Sequence, residues 1–311
     1  MKILTKAITD INQIKARIGL AKGIEVALMG RIPTLEMVSL LRDNFTNVNF
    51  ESSDALQRRP TYRLIDPFSD DKDIKEESRR LIEESFNIFL SLNNKGYFTI
   101  HNVAFCRQQN KPYQLPSFSE INERKDQFHN YITSLDKGKE FISLENIFPN
   151  QINDCPYDYG DFGKLFNDFP HNIGISFDIG HYTITLAMYA YGIKRERKNN
   201  FVSLTRDINF LSFIGEREKR LGIKTNKKSL STLVKEAMQS LGDRVKVIHC
   251  TNVRGLDNIY DDGFLEGILN LEEIIRVSKA KYIVPEVKNE DYIKYDESKK
   301  LINYLNNLLK N

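Results

Sequence analysis

Short apolar runs of strand length alternate with helical amphipathic stretches along the whole chain. Strand-like runs are predicted at Lys2–Leu4, at 23–30 (G-I-E-V-A-L-M-G), at 47–51 (N-V-N-F-E) and at 97–101 (Y-F-T-I-H). Four more end at Glu145 (F-I-S-L-E), Asp178 (I-G-I-S-F-D), His249 (V-K-V-I-H) and Glu286 (Y-I-V-P-E). Apolar residues three to four apart predict helices over 10–21, 34–43, 73–92, 117–136, 229–241 and 296–309, with shorter helical stretches over 161–168 and 181–191. Strand followed by helix, repeated eight times, predicts a (β/α)8 barrel formed by one domain over residues 1–311. Residues 199–243 are more than one crossover helix needs, so a helical insertion is expected between strands six and seven. A doubly wound open sheet is the competing arrangement. It loses its usual support because neither G-x-G-x-x-G after an early strand nor a P-loop motif occurs.

In a parallel barrel, functional side chains collect at the C-terminal ends of the strands. Glu145, Asp178, His249 and Glu286 each close one of the last four predicted strands. Three carboxylates and an imidazole around one centre suit a divalent ion such as Mn²⁺, Mg²⁺, Co²⁺ or Zn²⁺. Glu286 lies inside the apolar stretch V-P-E-V, where an unpaired charge is costly. Asp178 also stands where a helix cap is expected. His181, three residues after Asp178, and His101, closing strand four, are expected to reach the same pocket and contact substrate. Arg254 follows H-C-T-N-V and is the basic residue best placed in a top-face loop, among Arg58, Arg59, Arg107, Lys111 and Lys288. Such an ion beside two glutamates suits either proton transfer next to a metal-bound carbonyl or attack of water on a phosphodiester.

Composition narrows this only slightly. A net charge of +3 over 311 residues permits a phosphate-bearing substrate without arguing for nucleic acid. Cys106, Cys155 and Cys250 form no C-x-x-C pair and suit a reducing, cytoplasmic setting. Cys250 should point away from the barrel axis because it follows His249 on the same strand. No 18-residue apolar stretch or signal-like start is visible, so neither a membrane span nor a leader is expected.

Together, L-E-N at 144–146, F-D-I-G-H at 177–181, I-H-C-T-N at 248–252 and V-P-E-V at 284–287 resemble the xylose isomerase-like TIM barrels. That superfamily holds sugar isomerases and epimerases together with endonuclease IV. L-I-D-P-F-S-D-D-K-D-I-K-E-E-S resembles the segment after strand three of those proteins. The resemblance implies one metal ion on Glu145, Asp178, His249 and Glu286. It implies proton transfer by Glu145 and Glu286, with His181 on the substrate. The trinuclear endonuclease pattern is incomplete: F-E-S-S stands where its strand-three histidine belongs, and Phe264 stands at the late Asp-x-His. A metal-dependent sugar isomerase or epimerase is therefore the favoured expectation. An endonuclease IV-like phosphodiesterase acting on nucleic acid and a non-catalytic metal-binding barrel remain as alternatives. A homo-oligomer is compatible with either.

Overall fold

A computed structural model describes residues 1–52, 55–57, 63–69, 71–92, 96–101, 118–146, 173–183, 196–197, 200–201, 229–252, 267, 269–287, 289 and 291–310. Eight parallel strands close into a barrel. They are β1 (Lys2–Ile8), β2 (Gly23–Ala27), β3 (Asn47–Glu51), β4 (Phe98–His101), β5 (Ile142–Glu145), β6 (Gly174–Asp178), β7 (Val245–Cys250) and β8 (Tyr282–Pro285). Each strand pairs with its sequence neighbour, and β1 pairs with β8 to complete the ring. The helices are α1 (Ile11–Arg17), α2 (Leu35–Asn44), α3 (Lys72–Ser91), α4 (Phe118–Asp136), α5 (Leu230–Leu241), α6 (Leu271–Arg276) and α7 (Asp296–Lys310). None is long and apolar enough to cross a membrane.

Local chemistry sets the helix starts. Asp10, Thr34, Asp71 and Ser229 each accept a hydrogen bond from an otherwise unpaired first-turn N–H of α1, α2, α3 and α5. Apolar stripes then face the barrel: α7 buries Leu301, Ile302, Leu305 and Leu308. On α3, Phe86 and Phe89 pack against Phe98 of β4, with ring centroids 5.4 and 6.0 Å apart.

The strands alternate between this outer layer and the barrel interior. Leu4, Tyr97, Val247, Tyr282 and Val284 fill the floor as a separate apolar cluster. Gly23 makes room for it: a β-carbon there would collide with Leu4 and lie 2.9 Å from the Asn47 carbonyl oxygen. Above the floor, the hydroxyls of Thr99, Ser143 and Ser176 form a closed ring with separations of 2.8–3.1 Å. Cys250 belongs to the outer layer, as expected, and its burial pushes the thiol up to about 12.

Several boundaries depart from the sequence reading. The first strand was expected to stop at Leu4 but continues to Ile8, because Leu4–Ile8 pair with Gly23–Ala27 and Lys6 turns inward. A charge in that position reads from sequence as the end of a strand. The eighth strand ends at Pro285, which leaves Glu286 just beyond it. The six-residue α6 is too short to show a helical period, and α1 is shorter than 10–21. Two short antiparallel pairs, Ala55–Gln57 with Arg63–Leu64 and Glu196–Arg197 with Asn200–Phe201, lie outside the barrel. Of the expected 199–243 insertion, Asn200–Phe201 and α5 are described; the expected helix over 161–168 falls outside the described residues.

The seam between β1 and β8 has a construction of its own. Those strands are in register only at Lys2–Tyr282 and Ile3–Ile283. Higher up, side chains replace the ladder. The Lys6 N–H donates to Tyr295 Oη at 2.8 Å, and Arg17 Nε donates to the Lys6 carbonyl at 2.9 Å. The Arg17 guanidinium lies 3.4 Å from the centre of the Tyr295 ring, and its Nη2 donates to the Tyr292 carbonyl at 2.6 Å. Tyr295 holds this position with φ of +59°, a backbone state that costs a non-glycine residue roughly 1–3 kcal/mol. The seam contacts offset that cost. Tyr295→Phe should leave the part-buried Lys6 N–H without this acceptor and lower stability by about 1–3 kcal/mol in urea unfolding; an unchanged midpoint would refute the seam's importance.

Candidate metal centre

Each of the eight strands delivers one ionisable side chain to the same end of the barrel. They are Lys6, Glu25, Glu51, His101, Glu145, Asp178, His249 and, just past β8, Glu286. Staggered pairing makes Lys6 and Glu25, His101 and Glu145, and Asp178 and His249 direct neighbours across the ladder. All but Glu286 and Lys6 are buried as residues, and the Glu286 side chain is 30% exposed at the open side of the cluster.

The four sequence-predicted ligands come together. Glu145, Asp178, His249 and Glu286 each offer a donor atom, and these atoms lie within 4.8 Å of one another. Donors opposite one another around an ion, each at about 2.1 Å, would be about 4.2 Å apart, so the cluster fits a divalent cation. Its atoms also need one. Both Glu145 oxygens, His249 Nδ1 and Glu286 Oε2 are buried without a well-directed hydrogen bond among the described residues. His249 Nδ1 lies 3.1 Å from Glu145 Oε1 and 3.0 Å from Glu286 Oε2.

Glu25 explains the orientation of His249. Its Oε1 is 2.9 Å from His249 Nε2, on the far side of the ring. The contact is one of charge, since neither atom makes a well-directed hydrogen bond among the described residues, and it leaves Nδ1 turned to the donor cluster. Asn146 fixes Asp178 through a two-way clasp: its amide donates to the Asp178 carbonyl at 2.9 Å and its Oδ1 accepts the Asp178 N–H at 2.7 Å. Asp178 Oδ1 also accepts the His181 N–H at 2.6 Å, so the residue caps the following helical turn while Oδ2 lies 3.6 Å from His181 Nδ1.

The expected substrate contacts divide into two groups. His181 lies at the cluster's edge, with Nδ1 3.0 Å from the Asn146 carbonyl and 3.6–3.7 Å from Asp178 and Glu145. His101 is inside it. Its Nδ1 lies 2.6 Å from the Ser52 carbonyl and so carries a proton. Nε2 then faces Glu51 at 3.2 Å and Glu145 at 3.4 Å, a position that only a proton or a metal ion satisfies. Arg254, Arg58, Arg59, Arg107, Lys111 and Lys288 lie outside the described residues.

Sequence reasoning missed Lys6, Glu25 and Glu51. Lys6 Nζ lies 2.6 Å from Glu51 Oε2, 2.7 Å from Glu286 Oε1 and 3.6 Å from Glu25 Oε1. Glu25 and Glu51 carried a usable signal, a carboxylate within or closing an apolar strand. Lys6 carried none, because the run around it ended too early.

These charges pull the carboxylates in different directions. At an effective dielectric near 20, two unit charges 4 Å apart interact by about 4 kcal/mol, enough to outweigh much of a burial penalty. Burial raises Glu286, but Lys6 and His249 outweigh it and hold the carboxyl well below its ordinary range. Glu51 is likewise buried, yet Lys6 and His101 bring it down to about 2. Glu145 lacks the ammonium contact, so burial prevails and raises it. Burial and the Glu286 charge push Asp178 up to about 8. Burial alone would lower His249; Glu145 and Glu25 reverse this and raise it.

No protein-family model matches the chain, and no curated protein matches it. Solved structures do. D-allulose 3-epimerase from Methylomonas sp. is 15% identical with a TM-score of 0.60, covering 99% of this chain and 98% of that one. D-psicose 3-epimerase from Clostridium cellulolyticum H10, solved with D-tagatose, is 12% identical with a TM-score of 0.56, covering 99% of each chain. The 3-keto-D-glucoside 4-epimerase of E. coli is 12% identical with a TM-score of 0.51, covering 100% of both chains. The fold resembles that of the sugar epimerases. At these identities the likeness is one of fold, and the buried donor cluster stands on its own geometry.

Because Asp178 keeps its proton up to about pH 8, an incoming ion must displace it. Affinity for Mn²⁺ should therefore rise with pH through about 8, and by more than the roughly tenfold per pH unit of a single proton, because Glu145 and His249 are also held toward their protonated forms and must give up a proton to the ion. Calorimetry at pH 7 in buffers of different ionisation enthalpy should show proton release. No release, or affinity that falls with pH, would contradict the assignment.

Proposed function

We propose that this chain is a divalent-metal-dependent sugar epimerase or isomerase in which Glu286 removes a proton from the carbon beside a carbonyl and Glu145 returns one to the opposite face. One observation carries the reading. Two carboxylates, Glu145 and Glu286, flank His249 Nδ1 at 3.1 and 3.0 Å within one donor cluster, so proton removal and proton return both have a carboxylate beside the position an ion would take.

Glu286 is the more open of the two, which suits the group that first meets substrate. Glu145, 1% exposed at its side chain, is the one shielded from water. A metal ion held by Glu145, Asp178, His249 and Glu286 would supply Lewis-acid polarisation of the substrate carbonyl. Taking up the substrate proton neutralises Glu286, and donation leaves Glu145 ionised, so the pair must exchange protons with solvent before the next turnover. His181, at the edge of the cluster, is placed to orient a sugar hydroxyl. The similar solved proteins named above act on sugars, which supports a ketose or keto-sugar substrate.

The test is a panel of ketoses incubated with Mn²⁺-loaded protein in D₂O, with NMR reading both epimer formation and deuterium at the carbon beside the carbonyl. Glu286→Gln should lower turnover by about 10²–10⁴-fold while circular dichroism stays native. Full activity in that variant would remove the acid/base role. Cleavage of an abasic-site duplex in place of sugar turnover would favour the phosphodiesterase alternative, and inactivity on both would favour a non-catalytic barrel.

A further inference from the structure

We propose that Lys6 is a tethered counter-cation that occupies a second cation position in the barrel mouth, so that the chain takes one divalent ion where its donors have room for two. The inference rests on the one-metal reading above and concerns the opposite side of the cluster. Glu25, Glu51 and His249 form a further group whose donor atoms lie within 4.8 Å of one another. Glu25 is fully buried, and neither of its oxygens has a well-directed hydrogen bond among the described residues. By donor type and spacing that group resembles a metal site, but the Lys6 ammonium is already among its carboxylates. Nζ lies within 3.6 Å of oxygens from Glu25, Glu51 and Glu286.

Two features make the ammonium a resident rather than an occasional neighbour. Its own strand holds it: the Lys6 N–H and carbonyl are fixed by Tyr295 and Arg17 at the β1–β8 seam. A covalently attached charge also cannot be lost to dilution or a chelator, unlike a metal ion. The ammonium engages Glu286 through Oε1 and leaves Oε2 facing His249 and the one-metal site. A divalent ion entering beside Lys6 would meet a positive charge at the position it needs. The tethered ammonium thus fixes metal stoichiometry and divides Glu286 between two partners.

The experiment compares full-length wild type, Lys6→Met and Lys6→Arg, each stripped with chelator, loaded with excess Mn²⁺ and desalted. Metal per chain is measured by mass spectrometry, and the Mn²⁺ electron paramagnetic resonance spectrum is recorded on the same samples. Wild type and Lys6→Arg should hold one ion each with an isolated-ion spectrum. Lys6→Met should hold two with an exchange-coupled spectrum, and Lys6→Met combined with Glu25→Gln should return to one. If Lys6→Met folds only on adding Mn²⁺, uptake of two ions during refolding supports the inference and uptake of one overturns it. One ion in folded Lys6→Met, or two in wild type, overturns the role of Lys6. No ion in wild type removes the one-metal reading itself, and this inference with it.

Discussion

Concentrated negative charge in a place with little water is the constraint around which this molecule is built. Glu25, Glu51, Glu145, Asp178 and Glu286 converge at one end of the barrel, and among the described residues Lys6 is the lysine in ion-pair contact with three of them. Such a set would repel itself apart unless held by a rigid frame and supplied with positive charge. The closed sheet is the frame, because neighbouring strands fix the height and facing of every inward side chain. The apolar floor and the hydroxyl ring above it keep the charges at the mouth.

Within that arrangement, small differences in neighbourhood become differences in chemistry. Glu145 and Glu286 are the same residue type at the ends of strands on either side of His249. Glu286 has the Lys6 ammonium beside it and a partly open side chain, and its proton affinity moves in the opposite direction to that of Glu145. His249 shows the same economy in its two nitrogens, one turned to Glu25 and the other to the donor cluster. The outer carboxylate is thus as much a part of the centre as the residues that would touch an ion.

How much of this could be read from the residues alone follows from how each one is displayed along the chain. The barrel was legible because helical and strand periods alternate so regularly. Glu145, Asp178 and His249 were legible because each breaks an apolar run at or next to its end, and Glu286 because an unpartnered charge in V-P-E-V makes little sense. Glu51 closes its run in the same way as Glu145, at the place where the related endonuclease pattern has a histidine. Glu25 stands inside its run rather than at its end, a place where only three-dimensional pairing reveals why a charge is tolerated. Lys6 depended on how far β1 extends, and that is set by pairing with β2 rather than by anything local. The side-chain seam was invisible because Lys6 and Tyr295 lie 289 residues apart.

That separation bears on how the protein comes into being. Residues from the first strand and from just ahead of α7 must meet before Lys6 is locked in place, so the mouth is completed only once the chain has been made past Tyr295. A growing chain emerging from the ribosome would display its glutamates singly, without the geometry that captures an ion. Capture of an ion by all four donors can therefore follow only after Glu286 has been added.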